Sequence, residues 1–180
     1  FRAMAEAGTL IPHHIDALAN HLAAFHLALP ASAPVPGGSL LRWASDSLDE
    51  VAASAQRPTT CAPADIAHLR EQLLTRLAHP QPSDAERQRD GWVRECHGDL
   101  HLGNLVEWQG RVLAFDALEF DPALRHIDVV ADLAFPFMDL LAHGLPALAW
   151  RLVNRHVEHT GDFAGLPLLP ALAAYRALVR

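Results

Sequence analysis

The 180-residue chain contains no lysine and two cysteines, and aromatic residues make up only 7% of it. All 14 basic residues are arginine, so no mechanism can take a lysine from this chain. Cys61 and Cys96 are too few for a disulfide framework, and both are typical of small core or loop residues. No apolar run reaches the length of a membrane span, so we expect no membrane segment.

The charge balance is acidic, with 21 acidic residues against 14 basic ones and a formal net charge of −7. This balance argues against binding to nucleic acid. It favours a cationic substrate or a divalent ion, but it is equally typical of a surface that is simply well solvated. The opening "FRAMAEAGTL" has neither an initiator Met nor the apolar core of a secretion signal. We therefore expect a cytoplasmic protein of which this chain is one part.

Helical periodicity flanks a short β-rich centre, which predicts an α+β fold that is predominantly helical. Loops are expected at "ASAPVPGG" and at "QRPTT", and the polar, turn-rich stretch from residue 80 to 91 leaves room for one short helix. Pro136 is expected to kink the helix that follows Asp121-Pro122. Three apolar stripes carry the helical prediction: Ile15, Leu18, Ala19, Leu22 and Phe25; Ile66, Leu69, Leu73, Leu74 and Leu77; and Ile127, Val130, Ala131, Ala134, Phe137, Met138 and Leu141.

The centre predicts three strands, "WVREC", "NLVEW" and "RVLAFD", the last two joined by Gln109-Gly110. A glycine in the second loop position is typical of a two-residue hairpin turn that needs positive φ. That turn pairs Trp108 with Arg111 and Leu105 with Ala114. Asn104 and Asp116 then lie at the same open end of the hairpin.

The segment "HGDLHLG" enters this same end, so His97, Asp99, His101, Asn104 and Asp116 are expected at one mouth. The oxygen atoms of Asn104 and Asp116 are ligands of the kind that Mg²⁺ prefers. An aspartate at position 99 is placed to accept a proton from a substrate hydroxyl. The spacing H-x-D-x-x-x-x-N with a later aspartate is that of the catalytic loop of kinases.

The motifs "HGDLHLGN", "FDALEF" and "RHIDVVADLAF" resemble the aminoglycoside phosphotransferase and choline kinase branch of the protein-kinase-like fold. Some members of a similar bacterial group carry a further P-loop domain. The resemblance implies that Asp99 is the catalytic base, that Asn104 and Asp116 bind Mg²⁺, and that His97 supports the loop.

A buried acid that braces the loop is also implied, either Asp128 or Asp132, and we favour Asp132 slightly. These two carboxylates are four residues apart on an otherwise apolar helix, where unpaired they would be costly. Arg125 is a candidate partner for Asp128. Glu119 and Asp121 are left open as a further metal ligand or as substrate contacts.

Kinases of this fold grip ATP with a lysine from an N-terminal β-lobe, and no lysine or glycine-rich strand pair precedes residue 95. We therefore expect the chain to be one domain, the C-terminal lobe, with the N-terminal lobe absent and the nucleotide-binding residues unknown. Its parts are expected to be a helical region (1–91), the catalytic loop and metal-binding hairpin (92–121) and the C-terminal helices (122–180).

Three functions stay open. The first is ATP-dependent phosphotransfer, with Mg²⁺, to a hydroxyl of a small molecule, and the acidic charge balance favours a cationic acceptor. The second is a non-catalytic binding or regulatory module derived from a kinase. The third is a hydrolase that holds Zn²⁺ with His97, Asp99, His101 and Asp116.

Overall fold

The computed structural model describes residues 1–32, 44–50, 63–78 and 82–180. Its fold is α+β and mostly helical, which confirms the predicted class. The predicted loop beyond residue 32, the break at "QRPTT" and Cys61 lie outside the described residues. The helices are α1 (Arg2–Glu6), α2 (Pro12–Ala28), α3 (Pro63–Ala78), α4 (Asp84–Arg89), α5 (Val129–Ala142), α6 (Pro146–Thr160) and α7 (Leu169–Val179), with residues 44–50 also helical.

In the described part of the chain, four short strands form two antiparallel pairs. The predicted hairpin is present, with β2 (Leu105–Trp108) paired to β3 (Arg111–Ala114) in the predicted register. Its turn residues Gln109 and Gly110 have φ values of 51° and 72°, as a two-residue turn of type I′ requires. The hairpin prediction is therefore confirmed in both register and turn.

The second pair joins β1 (Val93–Glu95) to β4 (His126–Asp128), and β4 was not predicted. Periodicity placed Ile127 on a helix, but its backbone pairs with Arg94 and the helix begins only at Val129. Asp128 ends the strand and caps α5, because its carboxylate accepts a hydrogen bond from the Val130 N–H at 2.8 Å. A short strand pairing overrides the local helical pattern here.

Helix α5 lies at the centre of the core, and every residue from Val129 to Leu140 is buried. The prediction of a single apolar stripe was too narrow, and Leu141, expected on that stripe, is 40% exposed. A helix that is apolar on all sides must be enclosed, and α5 packs against both α6 and α7. Pro136 lies within this helix.

The helices around α5 follow their sequence patterns with two exceptions, Phe25 of α2, which is only half-buried, and Leu69 of α3. Helix α2 begins at Pro12 and buries Ile15, Leu18, Ala19 and Leu22 as predicted. In α3, Leu73 and Leu77 are buried against α7, but Leu69 is 41% exposed, so that part of the stripe was wrong. Over the described residues, no helix has both the length and the apolarity to cross a membrane.

A buried ion-pair cluster joins α4 to α5 and to the turn before α7. The Arg87 guanidinium is 2% exposed and donates to both oxygens of Asp128 and both oxygens of Asp162. Burial alone would lower the pKa of Arg87, but these two carboxylates hold it above its usual value. The predicted partner of Asp128, Arg125, is wrong, because Arg125 pairs with Glu95 at 2.9 Å.

We predict that Arg87→Ala destabilises the protein by about 3–5 kcal/mol, because it leaves two carboxylates buried without a counter-charge. The free energy of unfolding in urea measures this loss. Arg89→Ala, on the same helix but 69% exposed, is the matched control and should change stability by less than about 0.5 kcal/mol. Similar losses for the two variants would contradict the assigned role of Arg87.

Candidate functional site

The loop from His97 to Asn104 connects β1 to β2 and is held from below by α5. Asp132, which is fully buried, accepts hydrogen bonds from the backbone N–H groups of His97 at 3.2 Å and Gly98 at 2.9 Å. Burial alone would raise the pKa of Asp132, but hydrogen bonds from His26 and Gly98 hold it below its usual value. Asp132 is therefore an ionised brace of the loop backbone, whereas Asp128 caps α5 and binds Arg87.

A second carboxylate on the same face of α5 was missed in the sequence. Asp139 is 2% exposed, and its carboxylate accepts the Leu102 N–H at 2.9 Å. Asp132 and Asp139 are seven residues apart, two helical turns, so both point at the loop. The sequence did contain a sign of this role, because Asp139 follows Asp132 by two helical turns on an otherwise apolar helix.

His97 connects the beginning of the loop to the end of the hairpin. Its Nε2 lies 2.9 Å from the Phe115 carbonyl oxygen, and its Nδ1 lies 3.3 Å from the Asp99 backbone nitrogen. The imidazole therefore donates from Nε2 and accepts at Nδ1. Both ring nitrogens are engaged with backbone, which leaves neither for a metal ion.

Any residue other than glycine would be strained at position 98. Its φ is +83°, and a Cβ atom there would lie 2.9 Å from the Leu124 carbonyl oxygen and 3.0 Å from Leu118 Cδ1. The left-handed backbone turns the chain so that Asp99 follows directly after the two braced N–H groups.

Asp99 and Asn104 are in direct contact. The Asn104 side-chain amide donates to the backbone oxygen of Asp99 at 3.0 Å and to its carboxylate at 3.3 Å. The Asp99 side chain is 33% exposed, while Asn104 is 6% exposed. Because the amide nitrogen of Asn104 faces Asp99, its oxygen faces away from that carboxylate.

His101 stands beside Asp99. Its Nδ1 accepts a hydrogen bond from the Gly103 N–H at 3.0 Å, which places the proton on Nε2. That Nε2 atom lies 3.5 Å from the Asp99 carboxylate. His101 therefore presents an N–H group toward the acid.

Asp116 follows the hairpin with φ of +62°, an unusual value for a residue other than glycine. The preceding residue, Phe115, donates its N–H to the Asn104 carbonyl oxygen at 3.0 Å, so residues 104 and 116 lie at the same end of the hairpin. Asp116 is exposed and makes no side-chain hydrogen bond or ion pair among the described residues. The Asn104 amide oxygen and the Asp116 carboxylate are hard oxygen donors, a set that fits Mg²⁺.

Two further acidic residues follow the hairpin. Asp121 caps the short 3₁₀ helix Pro122–Leu124 by accepting the Ala123 N–H at 2.9 Å. Glu119 is exposed. Neither residue contacts Asp99, Asn104 or Asp116 through a hydrogen bond.

A buried histidine pair supports Asp132 from behind and was also missed. His26 Nε2 lies 3.2 Å from the Asp132 carboxylate, and His26 Nδ1 lies 2.9 Å from His156 Nε2. The carboxylate orients a chain of N–H donors in which His156 donates to His26 and His26 donates to Asp132. His26 follows Leu22 by four residues, so the apolar pattern of α2 could have predicted that His26 lies on the buried face.

Cys96 lies next to this network and is 3% exposed. Burial raises the pKa of its thiol well above the usual value, so the thiolate needed for nucleophilic chemistry is disfavoured. The ligand atoms of His26, Cys96 and Asp132 lie within 4.8 Å of one another. Since the hydrogen bonds described above already occupy both His26 nitrogens and both Asp132 oxygens, we assign this cluster as part of the brace.

An open pocket of about 360 Å³ lies beside Asp99. Its lining consists of Arg2, Asp99, His101, Phe135 and Arg180. Neither Asn104 nor Asp116 is among its lining residues.

Comparison with known proteins finds relatives in two mycobacteria. One protein of Mycobacterium bovis and two of Mycobacterium tuberculosis, from strains CDC 1551 and H37Rv, are each 27% identical over 184 aligned residues. All three are described as uncharacterized proteins. The alignments cover 99% of this chain and 36% of each relative, so the chain spans about a third of the length of these curated relatives. No protein-family model matches the chain, and no solved structure matches it.

We predict that Gly98→Ala destabilises the protein more than Gly110→Ala does. Both residues have positive φ, so both variants should lose about 1 kcal/mol through backbone strain. Only Gly98 has close neighbours, since nothing lies within 4 Å of a Cβ at Gly110, and overpacking should add about 1–3 kcal/mol. Urea denaturation of both variants measures the difference, and equal losses would show that the loop does not require close packing at Gly98.

The buried histidine pair predicts a loss of stability in mild acid. Burial, followed by the neighbouring His26, lowers the pKa of His156 to about 3, below its usual 6.5. As pH falls from 6.5 toward 3 the unfolded state takes up a proton that the folded state does not. The contribution of His156 to stability is therefore complete above pH 6.5 and falls by roughly 1.4 kcal/mol per pH unit at most.

Urea denaturation between pH 7 and pH 4 measures this effect as the difference between wild type and His156→Gln. The variant lacks the titrating group, so its stability should depend less steeply on pH. His159→Gln, an exposed histidine on the same helix, should keep the wild-type slope. Parallel pH profiles for wild type and His156→Gln would rule out this source of acid sensitivity.

Proposed function

We propose that this chain is the C-terminal lobe of a protein-kinase-like small-molecule kinase, which transfers phosphate from ATP to a hydroxyl group. The observation that carries the proposal is the contact between Asp99 and Asn104 on a loop whose backbone is braced by Asp132 and Asp139. The residue types and spacing of this loop match those of kinase catalytic loops. A partly exposed carboxylate at the edge of a pocket is well placed to meet a substrate.

In the proposed reaction, Asp99 accepts the proton of the acceptor hydroxyl as its oxygen attacks the γ-phosphorus of ATP. A new oxygen–phosphorus bond forms, the bond from that phosphorus to the bridging oxygen of ADP breaks, and the proton later leaves Asp99 for water. The Asn104 amide, which donates to the Asp99 carboxylate at 3.3 Å, fixes the orientation of this base. His97 and Gly98 keep the loop in place through backbone contacts.

Asn104 and Asp116 would hold Mg²⁺ through the amide oxygen and the carboxylate. Bound there, Mg²⁺ would neutralise charge on the phosphates of ATP. The chain's own contribution is to bring these two oxygen donors to one end of a hairpin whose register is fixed by its turn. The exposed Asp116 carboxylate, with no hydrogen-bond partner in the described part of the chain, is available for this role.

The alternatives receive less support from the geometry. A hydrolase that binds Zn²⁺ would need ring nitrogens of His97 and His101, but both nitrogens of His97 and one of His101 are engaged with backbone. A non-catalytic module would not need a partly exposed base in contact with an asparagine amide. The non-catalytic module makes a distinct prediction, because it expects no phosphotransfer from the full-length protein that depends on Asp99.

We propose that this activity belongs to a longer protein, which we expect in the cytoplasm; the chain spans 36% of the length of its relatives. The phosphates of ATP require a cation such as the lysine of the N-terminal lobe, and this chain contains no lysine. We propose that the remainder of the longer protein supplies this lobe, and a further P-loop domain is the other expected part. The acceptor is a small molecule rather than nucleic acid.

We predict that Asp99→Asn in the full-length protein lowers the phosphotransfer rate by about 10²–10⁴, the usual contribution of a general base. The test is a screen of hydroxyl acceptors with radiolabelled ATP and Mg²⁺, followed by kcat measurements on the acceptor found. Asp90→Asn, an exposed carboxylate that lies after α4, is the matched control and should keep the wild-type rate. Equal kcat values for Asp99→Asn and wild type would remove Asp99 from the mechanism, whereas no phosphotransfer to any acceptor would favour the non-catalytic module.

A further inference from the structure

The pocket beside Asp99 is positively charged, although the chain as a whole is acidic. Arg2 and Arg180 both line it, together with His101 and the ring of Phe135, and Asp99 is the one carboxylate in its lining among the described residues. Local charge, rather than net charge, determines which ligand a cleft attracts. The net charge of −7 therefore does not indicate the charge of the ligand here.

Arg2 is held in place without a counter-ion. Its guanidinium carbon would lie 3.2 Å from a Cβ at Gly103, so the side chain rests closely on the loop at this glycine. Its Nε atom is buried and has no hydrogen-bond partner, and no carboxylate of the described chain forms an ion pair with it. An arginine in this state has both charge and donors available for an anion.

Arg180 shares its partner with the loop. Its Nε lies 3.4 Å from one oxygen of Asp139, while the other oxygen of that carboxylate accepts the Leu102 N–H. The Arg180 side chain is 27% exposed. Asp139 therefore positions Arg180 beside the loop and leaves the other donors of its guanidinium free for the pocket.

A third arginine stands behind the pocket floor. The Arg176 guanidinium lies 4.4 Å from the centre of the Phe135 ring, and its Nε donates to the Ala131 carbonyl oxygen. Arg176 is 6% exposed and forms no ion pair within the described ranges. Its charge adds to those of Arg2 and Arg180 in a region of low dielectric constant.

We propose that this pocket binds the acceptor as a small polyol that carries an anionic group, a phosphate or a carboxylate, held by Arg2 and Arg180. Its free hydroxyl then faces Asp99. Asn104 and Asp116, the proposed ligands of Mg²⁺, are not among the lining residues, so we assign this anion to the acceptor. The assignment of the bound molecule as acceptor rests on the proposed kinase function, whereas the binding itself does not.

Isothermal titration calorimetry of the protein, without nucleotide, tests the proposal with four sugars that share one six-membered ring and differ in the charge of one substituent. Glucose is the neutral probe, glucosamine the cationic one, and glucuronate and glucose 6-phosphate the two anionic ones. We expect at least one anionic sugar to bind about tenfold or more tightly than glucose and glucosamine. Which of the two binds better distinguishes a carboxylate from a phosphate acceptor.

Variants locate the binding site. Arg2→Gln and Arg180→Gln should each weaken binding of the preferred anionic sugar by about tenfold or more, since each removes a charged donor. Arg89→Gln, an exposed arginine that does not line the pocket, should bind like wild type. Circular dichroism of each variant establishes that it is folded.

Several results would overturn the proposal. The first is that neither anionic sugar binds, and the second is that glucosamine binds as tightly as the anionic sugars. The third is wild-type affinity in folded Arg2→Gln and Arg180→Gln. The fourth is that inorganic phosphate binds as tightly as glucose 6-phosphate. Failure of the kinase proposal gives a different result, in which the anionic sugar binds in an arginine-dependent way but the full-length protein does not phosphorylate it.

Discussion

The hydrogen bonds from two loop N–H groups to the Asp132 carboxylate are the interaction on which the site depends. A carboxylate with no exposed surface is stable in the charged state only if strong donors surround it, and His97, Gly98 and His26 supply them. The same bonds fix the direction of the chain before Asp99. The requirement to satisfy one buried charge thus determines where the proposed base stands.

Helix α5 connects the loop to the rest of the core. It carries Asp132 and Asp139 on one face, places Phe135 between them as the floor of the pocket, and is enclosed by α6 and α7. The loop contributes backbone donors and the helix contributes acceptors, so the irregular segment is as firmly held as a strand would be. Arg87 secures the beginning of the same helix through Asp128, which adds a second, independent attachment.

Features that depend on local sequence were predictable, and features that depend on distant partners were not. The hairpin register follows from a two-residue turn and from alternation along ten residues, and residues 104 and 116 were placed at the same end of the hairpin for the same reason. The strand β4 needs β1, which lies some thirty residues earlier. His26 and Arg87 are polar residues at core positions, and the residues that justify their burial, His156 and Asp162, lie 130 and 75 positions away.

Most bonds that shape the loop from below end on its backbone rather than on its side chains. Asp132 and Asp139 accept from peptide N–H groups, which every amino acid except proline provides. Replacement of the residue at 99 or 101 would leave these three bonds intact. Such a scaffold lets the chemistry of the loop diverge among descendants while its architecture is inherited unchanged.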